Sequence, residues 1–233
     1  MKLAEGVYHI GSSAFSGCTS LTGEFFREIL TTDIKYLGDG NVESEYKNVF
    51  RGCTSFDGDL VWDFPNLFTN IVGNSLFANC SKLSRVVFKT PVAEIRNEAF
   101  CEMASGAELY MHSKPPAVFG NKIGNAKGPF LKMILKDNYD AWLEKISEKY
   151  HIIRKEDFNN KDITIEGRIW KWGDVAGKMS TDDKMCSVKD EKVSLREKRV
   201  LAFALGNENN TIGVVKSFWI LHEPLKGLKV IVK

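Results

Sequence analysis

Cys18, Cys53 and Cys80 are the first residues whose spacing could carry chemistry: each follows a phenylalanine by three positions, in AFSGC, VFRGC and LFANC. Thiols placed this way could bind zinc, close disulfides or fill space. A zinc site needs three or four ligands converging on one point, whereas equivalent positions of a repeat spread along a line. Stacked equivalents come within the Cα distance a disulfide tolerates, but their side chains run parallel and do not converge. The chain holds five cysteines, an odd number, with Cys186 far from the rest, so no complete disulfide framework is implied. The expectation is a column of small, buried, reduced thiols at the turn of each repeat, since free cysteine is among the most buried residue types.

Other catalytic chemistry finds little support. His9, His112, His151 and His222 are scattered, with no H-E-x-x-H spacing, and neither a G-x-S-x-G elbow nor a G-x-x-x-x-G-K-[ST] loop occurs. GNKIGNAKG reads as a turn, because no strand leads into it and no helix follows to make it a phosphate cradle. Asp57 with Asp59, and Asp182 with Asp183, read as solvated loop carboxylates. The expectation is therefore a protein that is not an enzyme, with no catalytic residue, metal or cofactor. A hydrolase with converging acids in the C-terminal region is the catalytic alternative.

The elements that position these residues come from a repeat. With Phe15, Phe50, Phe77 and Phe100 as anchors, four copies align. Ala14, Val49, Leu76 and Ala99 precede the anchors by one; Ile10, Glu45, Val72 and Ile95 precede them by five. Three positions after the anchors come Cys18, Cys53, Cys80 and then Met103. The anchors lie 35, 27 and 23 residues apart, and the shortest interval falls within the period of leucine-rich repeats. One such coil cannot enclose its own apolar side chains, so equivalent positions must stack into a shared core.

Each copy also contains a short alternating segment: EFFR, DLVW, RVVF and ELYM. Alternation sends neighbouring side chains to opposite faces, as strands of a parallel sheet require. In this register Phe25, Leu60, Trp62, Val86, Phe88, Leu109 and Met111 point inward. Phe26, Val61, Val87 and Tyr110 point outward, extended by Lys132 or Ile134. Arg27 falls where the other copies have Trp62, Phe88 and Met111, marking the first copy as imperfect. Phe26, Val61, Val87, Tyr110 and Ile134 thus form the candidate ligand-binding stripe, because exposed apolar stripes commonly mark interaction sites. The competing expectation is that the 12 extra residues within REILTTDIKYLGDGNVESEY fold over the stripe as a second small core.

The pattern VYHIGSSAFSGCTSL resembles the BspA-like leucine-rich repeats of bacterial surface and secreted proteins. KPPAVFGNKIGNAKGPFLKMILKDNYDAWLEKI resembles the end of such an array, where a Pro-Pro coil leads to a last strand, KMIL. A short helix then places an aromatic, Tyr139 or Trp142, over the open core. Glu45 and Tyr46 depart from the Ile-Gly of the pattern in the second copy, and Cys101 is displaced beside its anchor in the fourth. The resemblance implies a leucine-rich repeat solenoid over residues 1–150, built of short parallel strands with irregular or helical turns and a capping helix at about 138–150. It also implies noncatalytic adhesion or binding to a host or bacterial surface protein or glycan, at the cell surface or in the extracellular space. MKLAEGVYHI has no apolar h-region, so no export signal is visible, and an intracellular interaction scaffold is the alternative.

Residues 151–233 lose the anchor pattern. DITIEGRIWKWG, KMCSVKDEKVSL, RVLAFALG, TIGVVKSFWILHE and GLKVIVK read as strands between Gly, Asn and Asp turns. The expectation is a small antiparallel β domain in which Trp170, Trp172 and Trp219 form the core or meet the end of the solenoid; the alternative is that Trp170 and Trp172, which share a strand face, form an exposed platform. Over the whole chain 32 Lys and Arg balance 30 Asp and Glu, interleaved in sequence, so no nucleic-acid partner is expected. The apolar runs are short and interrupted, so no membrane-spanning segment is expected. The chain is expected to be a monomer.

Overall fold

Each coil of the N-terminal array turns through two left-handed residues four positions apart: Ser13 and Gly17, Asn48 and Gly52, Ser75 and Asn79, Glu98 and Glu102. The computed structural model describes residues 2–38, 47–124, 131–148 and 150–153, together with six strands between 163 and 222. Between the left-handed residues, alternate amides face the next coil. Ser13, Phe15 and Gly17 donate to the carbonyls of Lys47, Val49 and Arg51 at 2.9, 3.0 and 2.7 Å. Asn48, Phe50 and Gly52 repeat this to Asn74, Leu76 and Ala78, and Ser75, Phe77 and Asn79 to Asn97, Ala99 and Cys101. The turn that looks irregular in sequence is a regular hydrogen-bonded ladder when coils stack.

The anchors form the spine of the core. Phe15, Phe50, Phe77 and Phe100 stack with centroids 5.7, 5.9 and 6.2 Å apart and near-parallel planes, a geometry worth about 0.5–1.5 kcal/mol per pair beyond burial alone. The N-terminal part of the chain is thus a parallel-strand solenoid of about five turns. A broad sheet on one side contains Gly58–Trp62, Leu83–Phe88, Glu108–Met111 and Leu131–Leu135 in parallel. A narrow ladder elsewhere holds Ile71–Val72, Glu94–Ile95 and Val118–Phe119. Inward side chains Leu60, Trp62, Val86, Phe88, Leu109 and Met111 are all buried, as the alternation predicts.

The first copy departs from that alternation. EFFR lies not in a strand but in helix α1, Gly23–Leu30. A four-residue window fits both periods; over eight residues Phe25, Phe26 and Ile29 share one buried helical face. Asp57 Oδ1 accepts the Gly23 amide at 3.2 Å, satisfying one open donor of the first turn. Helix α1 packs on Gly58–Trp62 and so shields the edge strand of the broad sheet. Phe26, expected outward, is 0% exposed and meets Phe50, Phe56, Trp62, Phe64 and Phe77. This part of the insertion serves the core; residues 39–46 lie outside the described residues.

Helix α2 (Tyr139–Ser147) stands at the other end. Trp142 is the aromatic that closes the core: it is buried, its ring meets Phe119 edge-on at 6.1 Å, and its Nε1 donates to the Ser113 carbonyl at 2.9 Å. In the last coil Lys122 and Gly124 are left-handed, and the Gly124 carbonyl accepts the Glu102 amide at 3.3 Å. The Ile123 amide donates to the Tyr150 hydroxyl at 2.8 Å, and that hydroxyl donates to the Gly120 carbonyl at 3.2 Å. In earlier coils the equivalent amides of Ala14, Leu76 and Ala99 donate to the Gly11, Gly73 and Arg96 carbonyls of their own coil; in the last coil the Tyr150 hydroxyl bridges that pair. Gly120 is required here, because a Cβ would overlap the Arg96 carbonyl group.

Beyond α2 the chain returns to the solenoid. Lys216–His222 pairs in parallel with Leu131–Leu135; Arg199–Ala204 and then His151–Ile153 follow antiparallel, making one seven-stranded sheet. Two hairpins, Ile163–Ile165 with Arg168–Trp170 and Cys186–Lys189 with Lys192–Leu195, carry the antiparallel pairing read from the sequence. The strand expected in GLKVIVK, and the side chains of Trp170, Trp172, Trp219 and Cys186, lie outside the described residues.

Candidate functional site

The outer face of the broad sheet carries two rows of side chains. Register places Val61 beside Val87, Val87 beside Tyr110 and Tyr110 beside Ile134. Two residues earlier in each strand, Asp59, Arg85, Glu108 and Lys132 are neighbours in the same way. Because side chains alternate along a strand, both rows share one face.

Val61, Val87 and Tyr110 lie on this face as expected and are half-buried. Ile134 is buried at 9% exposure: with Lys216–His222 on its far side, position 134 lies within the sheet and not at its margin. Phe26 belongs to α1 and the core. The surface stripe is therefore Val61, Val87 and Tyr110, shorter at both ends than the sequence suggests.

The charged row alternates in sign. Arg85 donates through Nη1 to Asp59 Oδ2 and through Nη2 to Glu108 Oε2, both at 3.0 Å; Lys132 Nζ lies 3.9 Å from Glu108 Oε1. The Glu108 hydrogen bond, with the nearby Tyr110 and Asp59, raises the Arg85 pKa and keeps the guanidinium charged. Exposed pairs of this kind add little stability individually. Their effect is geometric: Tyr110 Oη donates to Glu108 Oε2 at 3.1 Å, and the Arg85 guanidinium sits 5.1 Å from the Tyr110 ring centroid. Tyr110 is thus held in one orientation at the centre of the face. This row was missed in sequence, although the signal was there: the residue two before each stripe position reads Asp, Arg, Glu, Lys.

The cysteines are placed for packing. Cys18, Cys53, Cys80 and Cys101 are free. Cys53 Sγ donates to the Phe15 carbonyl and Cys80 Sγ to the Phe50 carbonyl, each at 3.1 Å, so each thiol points to the anchor of the preceding coil. Burial, with a smaller contribution from the neighbouring thiol, pushes the pKa of both Cys53 and Cys80 up to about 12, which makes them poor nucleophiles. Met103 fills the fourth slot and is buried.

Among the described residues, no group of three or more His, Cys, Asp or Glu is arranged to hold a metal ion. Asp57 caps α1 and Asp59 pairs with Arg85. His9 Nε2 lies 2.8 Å from the Gly38 carbonyl and donates to it. Asp182, Asp183 and the side chains of His151 and His222 lie outside the described residues. No helix among the described residues is long and apolar enough to cross a membrane.

The family model described as BspA type Leucine rich repeat region matches residues 1–114 in six copies. No curated protein and no solved structure gives a significant match.

Proposed function

We propose, starting from residues 1–114 as a BspA type leucine rich repeat region, that the chain is a noncatalytic adhesion module that docks a partner protein across Val61, Val87 and Tyr110. Repeat solenoids present continuous faces suited to protein interaction, and regions of this family are commonly surface-associated. The observation that carries the reading is the in-register apolar row beside a self-paired charged row. The apolar row offers area to bury, with a tyrosine fixed at its middle, the residue type most enriched at interface hot spots. The alternating charges set register and exclude partners of mismatched charge pattern. The proposed setting is the outside of a bacterial cell, with a host or bacterial surface protein as partner.

The test is binding of the whole chain to a panel of immobilised extracellular-matrix proteins by surface plasmon resonance. Val87→Asp places an unpaired charge in the stripe and should weaken binding by about 30-fold or more, as removal of a hot spot does. Tyr110→Ala should behave similarly. Both side chains are half-buried on an outer face, so thermal unfolding should shift little. Folded variants that bind as the parent does would remove this face as the docking surface.

A further inference from the structure

A second surface lies on the two-stranded ladder His9–Ile10 with Tyr36–Leu37, which is not part of the broad sheet. Three rings follow one another across it. His9 and Tyr36 are 5.6 Å apart at 63°, and Tyr36 and Phe68 are 5.1 Å apart at 36°. Phe68 is 69% exposed, and Tyr8 nearby in sequence is 60% exposed. Isolated exposed apolar residues are ordinary, but a contiguous aromatic row is not.

The row is held in place from behind. The Phe68 amide donates to the Lys35 carbonyl at 3.1 Å, tying the 66–68 loop to the 33–36 segment. His9 is fixed through its ring nitrogen to Gly38. Asp33 Oδ1 accepts from Lys35 Nζ at 2.7 Å and from Asn66 Nδ2 at 3.0 Å. The Lys35 hydrogen bond lowers the Asp33 pKa, so the carboxylate is ionised at neutral pH.

We propose that His9, Tyr36 and Phe68, with Asp33, Lys35 and Asn66 beside them, bind a neutral carbohydrate through one pyranose face. The ring faces carry the negative part of the aromatic quadrupole, and the C–H bonds on one face of a pyranose present complementary partial positive charge. Sugar hydroxyls both donate and accept, and they find here a carboxylate, an amide and an ammonium at fixed positions. Asp33 and Lys35 cancel in charge, which favours an uncharged ligand over a phosphate or a basic peptide. This surface shares no residue with the stripe of the broad sheet, so either can fail without the other.

The probes are four soluble neutral tetrasaccharides, built of β-glucose, β-N-acetylglucosamine, β-galactose and α-mannose, tested on the whole chain by saturation-transfer difference NMR and calorimetry. At least one should bind, with the strongest saturation on ring C–H protons. Phe68→Ala should weaken it about tenfold or more, a loss of about 1.4 kcal/mol, and Asn66→Ala should weaken it with the aromatic row intact. Val87→Asp should leave it unchanged. Binding of none of the four at millimolar concentration would overturn the proposal, as would undiminished binding by folded Phe68→Ala. Loss of matrix-protein binding in Phe68→Ala, without any sugar bound by the parent, would overturn it too and make the row part of a protein interface.

Discussion

A thiol that donates to the carbonyl of the preceding coil does two jobs at one position: it fills the turn and marks the register between coils. The Phe15 carbonyl accepts both the Cys18 amide and the Cys53 thiol, and the Phe50 carbonyl accepts both the Cys53 amide and the Cys80 thiol. In the native protein, Cys53 and Cys80 should resist iodoacetamide near pH 8 and react once guanidinium unfolds the chain, as peptide mass spectrometry would read. The same burial gives a pH dependence. Their folded pKa of about 12 lies above the ordinary 9.0, so the unfolded chain loses these protons first as pH rises. Their contribution is whole below about pH 9 and is lost progressively towards pH 12. Urea unfolding across that window should show falling stability, with a shallower slope in the Cys53→Ala, Cys80→Ala double variant.

At the scale of elements, the solenoid is closed by different means at its two ends. Helix α1 replaces a strand at one, and α2 with Tyr150 covers the other. Tyr150→Phe deletes a hydroxyl that serves two buried backbone groups, Ile123 N–H and Gly120 C=O. It should cost about 1–3 kcal/mol in denaturant unfolding while leaving stripe binding intact. Phe26→Ala, on the buried face of α1, should cost about 3–5 kcal/mol. The interior strands were legible in sequence because Leu60, Trp62, Val86, Phe88, Leu109 and Met111 keep strict alternation with their neighbours. The α1 segment was not, since two adjacent phenylalanines in a short window satisfy either period. Tyr150 was illegible for another reason: its partner is a backbone amide 27 residues away, and no side-chain pattern records that contact. The outward placement expected of Val61, Val87 and Tyr110 agrees with the structure, whereas Phe26 and Ile134 are buried, because there the neighbouring element decides burial.

For the whole molecule, the shared sheet is the decisive feature. Lys216–His222 pairs along Leu131–Leu135, its residues 87 positions from their partners in sequence, a non-local pairing whose loop-closure entropy must be met before its hydrogen bonds form. No local reading of the C-terminal strands could assign them to the solenoid's own sheet. Shortening the chain to residues 1–204 should expose the edge of Leu131–Leu135. Faster amide exchange at 131–135 and a rising share of aggregate on size-exclusion chromatography are the expected signs. A shortened chain that kept both the exchange rates and the monomer would show that Lys216–His222 does not protect this edge.

The covered end of the array also bears on how such an array can change length over evolution. Lys216–His222 already takes the sheet edge at which a further coil's strand would pair, and the rings of Trp142 and Tyr150 cover Phe119, on which it would stack. Duplicated units can therefore enter between existing ones but cannot be appended behind the last, so a lineage would lengthen this protein from within.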